Sequence, residues 1–365
     1  MKAWRFREFG NLQLEDIPMP EVEPGWVVVK VKVVQPAVTD VGLVDGYPHM
    51  FYPRFKRMMR AGKSIRIGHE FCGEVVEVGK GVETLKLGDR VAAPSASPCG
   101  RCALCRNGQQ ASCESPVNFG VEIAGAFAEY TCAPELALVS MPEELTDHEI
   151  SALQPMISAI GAVHSAQTQL NDTVVVIGCG ACGLASLQMQ KLSGAGKLLG
   201  IDPRPEALDM ARQYGATEVI NPKETDPVQG VLDLTGGMGV AIVHDCAGGD
   251  PRYELAGFDA LHWGFQMIAR GGKVIEESNL PGKVELDTID LRIRGAQYIS
   301  GSRGGPDARD AMRLMAFLVA TRRVQVAPQI SHILQGLETL PQALEIAGNK
   351  SRHRATNSPQ IVVSG

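Results

Sequence analysis

Two patterns of apolar residues divide the chain. Up to about residue 134, apolar runs are short, rich in valine and broken by glycine and proline. Val27–Val34 and Phe71–Val78 read as strands, with a turn at Gly79-Lys80-Gly81 and another before Val91. Such punctuation predicts a β domain. From Thr173 onward, short apolar runs alternate with stretches of helical period. Val174–Ile177, Leu198–Ile201, Glu218–Asn221, Ala241–Cys246, Lys273–Glu276 and Ala296–Ser300 are the strand candidates. Continuous apolar runs of this length suit strands covered on both faces, so the fold class is α/β, a doubly wound parallel sheet beside a separate β domain. Asp147–Gln169 reads as one helix, with Thr146 or Asp147 as its N-cap. After residue 300 come a helix over Ala308–Arg322, a shorter one near Leu340–Ala347 and a last strand at Gln360–Val363. That strand is read as returning to the N-terminal β domain. The expected divisions are 1–155, 156–300 and 301–365, the first and third forming one domain.

Composition narrows the class. At 365 residues the chain can hold two cores, and 44% hydrophobic with 21% charged residues describes a globular protein. A net charge of −6 argues against a broad basic surface for nucleic acid. No apolar run approaches the roughly 20 residues of a membrane span, and the first residues carry charges where a signal peptide is apolar. Nine cysteines, four of them crowded into Cys99–Cys113, suit a reducing compartment, and the cytoplasm is the expected location.

Thr173–Asp202 carries the first chemical motif. Gly178, Gly180 and Gly183 form G-x-G-x-x-G between a strand and a helix, and Asp202 follows the third glycine by nineteen positions. Gly178 permits the tight turn, Gly180 leaves room for a pyrophosphate, and Gly183 lets helix and strand pack closely. The helix start, with Ala181 and Cys182, offers backbone N–H groups to phosphate oxygens. Asp202 is placed for a ribose and favours NAD, because a carboxylate repels a 2′-phosphate; Arg204 keeps NADP open. The competing reading is an ordinary strand–helix turn.

Cys99-x2-Cys102-x2-Cys105-x7-Cys113 is the second motif. Four thiolates at this spacing close a tetrahedron around Zn²⁺ and leave no position for substrate, so the metal they imply is structural. An iron–sulfur cluster or unligated thiols are the alternatives. Cys72, Cys132 and Cys246 read as small core residues. Between Pro53 and Ile67 lie Arg54, Lys56, Arg57, Arg60, Lys63 and Arg66 without an acid. This run reads either as a solvated helix face over Phe51, Phe55, Met58 and Met59, or as a collector of anionic substrates.

Met1-Lys2-Ala3, Gly68-His69-Glu70, Gly88-Asp89-Arg90-Val91, the four-cysteine lobe, the Gly178–Gly183 turn and Gly271-Gly272-Lys273-Val274 together give the chain its resemblance. It resembles the zinc-containing alcohol dehydrogenase branch of the medium-chain dehydrogenase/reductase superfamily. The resemblance implies a GroES-like β domain with a Rossmann domain inserted in it, a small-molecule substrate in the cleft, NAD as hydride carrier and a homodimer or homotetramer joined partly through the Rossmann sheet edges.

The residues depart from that family where its catalytic zinc sits. The family's first ligand is a cysteine in G-x-C-x-[ST]-D; here Ala37 stands there, before Thr39 and Asp40. The second ligand is present as His69, with Glu70 beside it. The third, a Cys or a Glu before Pro, is Gln154 before Pro155. A position that often carries a proton-relay histidine is Gly42. Two arrangements follow: a zinc held by His69, Glu70 or Gln154, Asp40 and water, or a metal-free polar site of Thr39, Asp40, His69 and Glu70. The implied reaction interconverts an alcohol and a carbonyl. A metal-free reductase of an activated C=C bond and a non-catalytic dinucleotide-binding protein are the alternatives.

Overall fold

The computed structural model describes residues 1–48, 51–63, 65–94, 96–253, 255–301 and 307–363. The chain forms two compact units, Met1–Ile157 with Pro306–Gly365, and Ser158–Gly305.

The first unit is built on a seven-stranded sheet. Its order runs Ile333–Gln335, Gln360–Val362, Trp26–Gln35, Glu70–Val78, Arg90–Ala92, Val139–Ser140, with Tyr130–Pro134 also paired to Trp26–Gln35. The valines of the Trp26–Gln35 strand are buried along most of its length, as a strand packed on both sides requires. The C-terminal strand pairs antiparallel with it, Ile361 opposite Val34. The expected return of the last strand to the N-terminal β domain is therefore what the sheet shows.

In the second unit, six parallel strands lie in the order Glu218–Ile220, Lys197–Ile201, Thr173–Ile177, Val240–Asp245, Ile268–Glu276, Gln297–Ser300. The order reverses direction at Thr173–Ile177, the switch point at which doubly wound sheets bind ligands. One apolar layer packs Val174, Val176, Leu198 and Ile242 under Leu184 and Leu187. The other packs Val175, Ile177, Leu199 and Val243 against Leu261 and Phe265.

The helix expected over Asp147–Gln169 is broken. It comprises a helix at Asp147–Ser151, a 3-10 turn at Gln154–Ile157 and a helix at Ser158–Ala166. Pro155 lacks the N–H that a continuous helix needs, and it disfavours helical geometry in the residue before it. Thr146 is the N-cap, its hydroxyl accepting from the Glu149 N–H while Glu149 reaches back to the Thr146 N–H. Among the described residues no helix is long and apolar enough to cross a membrane.

Candidate active site

Register brings the catalytic candidates together. In the first unit's sheet, Gln35 at the end of one strand lies opposite Glu70 at the start of its neighbour. The chain leaving Gln35 turns through Pro36 and Ala37 into the short helix Val38–Val44. The chain entering Glu70 carries Gly68 and His69. Gly68 has φ +97°, and a Cβ there would lie 2.6 Å from the Phe127 ring, so only glycine fits this approach. Asp40 is buried: its Oδ2 accepts from the Ala37 N–H at 2.9 Å, and its Oδ1 lies 3.7 Å from His69 Nδ1. Thr39 is partly exposed in the first turn of the same helix. The turn that carries Gln154 packs on the Glu70–Val78 strand.

The electrostatics follow from burial around three ionisable groups. Burial pushes the Glu70 carboxyl up to about 7, with His69 pulling it down and Asp40 pushing it further up. Burial pushes His69 down, but the Asp40 and Glu70 carboxylates outweigh it, and the ring's pKa lies above its ordinary value. Gln35 Nε2 donates to Glu70 Oε2 at 2.6 Å. Gln35 was not among the candidates read from the sequence, and nor were Gln360 and His148, which continue the chain of bonds from it. The available signal was a glutamine closing an otherwise valine-rich strand.

The family's three-ligand zinc set does not fit these residues. Ala37 offers a buried methyl group where a thiolate would stand. Among the described residues, the one group of three or more ligating side chains that converges tightly enough for a metal is Cys99, Cys102, Cys105 and Cys113. Their sulfurs all lie within 4.8 Å of one another, which fits a closed four-thiolate zinc site. The lobe orients its own ligands. The N–H groups of Cys99, Cys102 and Cys105 face the sulfurs of Cys113, Cys99 and Cys102 at 3.2, 3.4 and 3.4 Å. Backbone N–H groups of Cys105 and Glu114 pull the Cys102 thiol down to about 6, while the Cys105 thiol beside it is pushed up to about 12.

In the second unit the glycine turn fits a dinucleotide. Gly178 has φ +89°, and a Cβ on Gly183 would sit 1.8 Å from the Gly178 carbonyl oxygen. A Cβ on Gly180 would meet no atom within 4 Å, so open space lies where a pyrophosphate belongs. The helix Ala181–Leu192 starts at Gly180 with no side-chain cap. Asp202 is buried, and its carboxylate is already engaged. It accepts from the Cys179 N–H at 2.9 Å, the Arg204 N–H at 2.9 Å and the Arg204 guanidinium through both oxygens. Behind the same helix runs a buried polar network around His244, next to last in the Val240–Asp245 strand. His244 Nδ1 lies 2.7 Å from Glu277 Oε1, with Ser186 and Cys246 also on that carboxylate and Gln190 on the other ring nitrogen. Cys246, expected as a core residue, packs against the apolar layer of this sheet, is partly exposed and bonds through its thiol to Glu277.

The residues 53–67 run resolves into an amphipathic helix, Tyr52–Arg60, with Phe55 buried and Lys56, Arg57, Arg60 and Lys63 exposed. Arg54 is paired with Glu122. Exposed cations on such a face are what both the solvated-face and the anion-collecting readings require.

Two family models match the chain: the alcohol dehydrogenase GroES-like domain over residues 23–143 and the zinc-binding dehydrogenase domain over 181–318. The L-threonine 3-dehydrogenase of Pyrococcus horikoshii is 30% identical over 92% of this chain and 91% of its own length. The chain belongs to the zinc-containing medium-chain alcohol dehydrogenase family. It is an alcohol dehydrogenase-like oxidoreductase with a structural four-cysteine zinc site. The L-threonine 3-dehydrogenase of Bacillus licheniformis is 31% identical, covering 87% of each chain. Among solved structures, the alcohol dehydrogenase TADH from Thermus sp. ATN1 superposes with a TM-score of 0.82 at 26% identity, covering both chains completely. In this chain Ala37 and Gln154 stand in the same short motifs as Thr39-Asp40 and Pro155, and His69 is followed by Glu70.

Proposed function

We propose that this enzyme oxidises a small secondary alcohol, of the β-hydroxy amino acid or diol type, with NAD, and does so without a zinc at the substrate. The observation that carries the reading is Ala37: a buried methyl group stands at the first ligand position while Thr39, Asp40, His69 and Glu70 remain clustered. NAD, when bound, supplies the hydride acceptor. Thr39 binds and orients the substrate hydroxyl. Asp40, fixed by the Ala37 N–H, holds the His69 ring through Nδ1. Glu70 takes the hydroxyl proton as the C–H bond breaks, and His69 helps pass it to solvent. A carboxyl with pKa about 7 is suited to this, since it binds and releases a proton near neutrality. Gln154 is assigned to the substrate side of the site as a neutral hydrogen-bonding group.

The test is turnover of L-threonine and a panel of secondary alcohols with NAD, across pH. The acceptor must start unprotonated, so kcat/KM should rise with pH through about 7 and then level. Glu70→Gln should remove that limb and lower kcat by about 100-fold. A flat profile for both enzymes would rule out Glu70 as the acceptor.

The same reading assigns NAD over NADP. Gly178, Gly180, Ala181, Cys182 and Gly183 cradle the pyrophosphate, and the buried Asp202 excludes a 2′-phosphate while it neutralises Arg204. Asp202→Ala should release the Arg204 guanidinium and turn the preference toward NADP. The NAD:NADP ratio of kcat/KM is expected to fall by about 100-fold. An unchanged ratio would mean Asp202 does not face the ribose.

The enzyme is also proposed to be a homo-oligomer. Gln297–Ser300 is the edge of the six-stranded sheet, and Tyr298, Ile289 and Ile293 are 50%, 70% and 61% exposed beside it. Light scattering should give at least a dimer's mass, and Ile289→Glu with Ile293→Glu should lower it. A monomeric wild type would contradict the proposal.

A further inference from the structure

A chain of buried amides reaches Glu70 from the last strand of the chain, two strands away in the same sheet. Glu70 Oε2 accepts from Gln35 Nε2 at 2.6 Å. Gln35 Oε1 accepts from Gln360 Nε2 at 3.3 Å. Gln360 Nε2 also donates to the His148 carbonyl at 2.9 Å, and Gln360 Oε1 lies 2.5 Å from His148 Nδ1. Gln35, Glu70 and Gln360 are 1%, 4% and 0% exposed, so water does not compete for these bonds.

The direction of the chain is forced by one group that cannot change character. A backbone carbonyl only accepts, so the His148 carbonyl requires the amide nitrogen of Gln360 on its side. That nitrogen also meets Gln35, which must then present its oxygen. The Gln35 nitrogen is left for Glu70, whose Oε2 is therefore an acceptor. At the other end, Gln360 Oε1 requires a proton on His148 Nδ1. The bonds that link His148 Nδ1, Gln360, Gln35 and Glu70 thus run one way, toward Glu70, with the His148 carbonyl taking the other Gln360 N–H, and aligned hydrogen bonds of this kind strengthen one another. Were Glu70 to turn and offer a proton to Gln35, both amides would have to flip, and the Gln360 oxygen would face the His148 carbonyl. Two acceptors in contact in a dry interior are strongly unfavourable.

We propose that Gln360 and His148 are positioning residues for the active site. Through Gln35 they hold Glu70 with Oε2 permanently occupied as an acceptor, and leave Oε1 as the single oxygen that takes a proton from substrate. The inference rests on the assignment of Glu70 as proton acceptor. It adds two residues that touch neither substrate nor cofactor, one from the helix at Asp147–Ser151 and one from the last strand.

A swap of charge tests it on the full-length, zinc-loaded protein. Gln360→Glu places an acceptor where a donor is required, so Gln35 faces carboxylates on both sides. Its Tm should fall by several degrees. Adding Glu70→Gln restores an amide at the other end and lets Gln35 reverse, so it should recover the part of the lost Tm that comes from Gln35, while the contact of the new carboxylate with the His148 carbonyl stays in both backgrounds. Equal loss in both backgrounds would mean that Gln360 only packs, and would overturn the proposal. Gln360→Met, similar in shape and unable to hydrogen bond, should lower kcat about tenfold with L-threonine or whichever panel alcohol is turned over, leaving KM for NAD unchanged. Rescue of Tm without any change in kcat in the Gln360→Met enzyme would also overturn the positioning role. If the wild type oxidised no alcohol while the rescue held, the proposed function would fall and the hydrogen-bond chain would stand.

Discussion

Gly183→Ala is expected to abolish NAD binding and to cost about 2–4 kcal/mol of stability. The added methyl would lie 1.8 Å from the Gly178 carbonyl oxygen and 3.0 Å from the Val176 side chain. Neither neighbour can yield cheaply. Val176 is fully buried in the central strand of the cofactor sheet, and Gly178 already holds φ +89° with its own Cβ position 2.8 Å from the Cys246 backbone. The helix Ala181–Leu192 must therefore move away from its strand, which takes the N–H groups at its start out of register with the phosphates. Gly180→Ala is the control. Its Cβ meets no protein atom, so it should fold as stably as the wild type and lose affinity only through contact with the pyrophosphate. Fluorescence titration with NADH and thermal unfolding separate the two cases. If Gly183→Ala bound NADH normally, the glycine turn would not be the phosphate site.

Metal analysis of the purified protein is expected to give one zinc per chain. The Cys102→Ser variant should contain none, and its lobe should become sensitive to proteolysis. The lobe between Pro98 and Pro116 has little core of its own: among its described side chains Cys105 alone is buried. A four-thiolate zinc in a small lobe is the principal source of its order, and loss of one ligand removes an anion from a set of four. A second zinc that survives Cys102→Ser and is lost in His69→Ala would show that the site around Glu70 holds a metal after all, despite Ala37. A single zinc unaffected by Cys102→Ser would place the metal elsewhere.

The cofactor sheet and the metal lobe were legible in the sequence because their information is local. A glycine turn needs particular φ values within six residues, and four ligands around one ion need short spacings. Ala37 and Gln154 stand out in the sequence for the same reason, since each sits in a short motif. The occupation of Asp202 was not legible. Its spacing marks a ribose acceptor, but whether its carboxylate is shared with Arg204 depends on a side-chain conformation that no spacing encodes. The chain from Glu70 to His148 was further out of reach. Gln35 and Gln360 are 325 positions apart, and only the pairing of the last strand with Trp26–Gln35 makes them neighbours. The break at Pro155 shows a different limit. Apolar periodicity continues through it, while the missing N–H ends the helix.

The place of Gln360 bears on the order in which this protein is made. A ribosome delivers the cofactor sheet, complete by Ser300, well before the strand Gln360–Val362 emerges. That sheet can close while its own chain is still being synthesised, because all six of its strands are already outside. The site around Glu70 must wait. Until the residues near 360 arrive, the Trp26–Gln35 strand lacks a partner along the edge that Ile361 and Val362 later cover, and Gln35 has no donor for its amide oxygen. The order of elements along the chain thus allows a stage in which the cofactor unit is folded and the chemical site is not yet assembled. During that stage the valine-rich strand is exposed to mispairing, and a chaperone that shields open sheet edges would have most to do there.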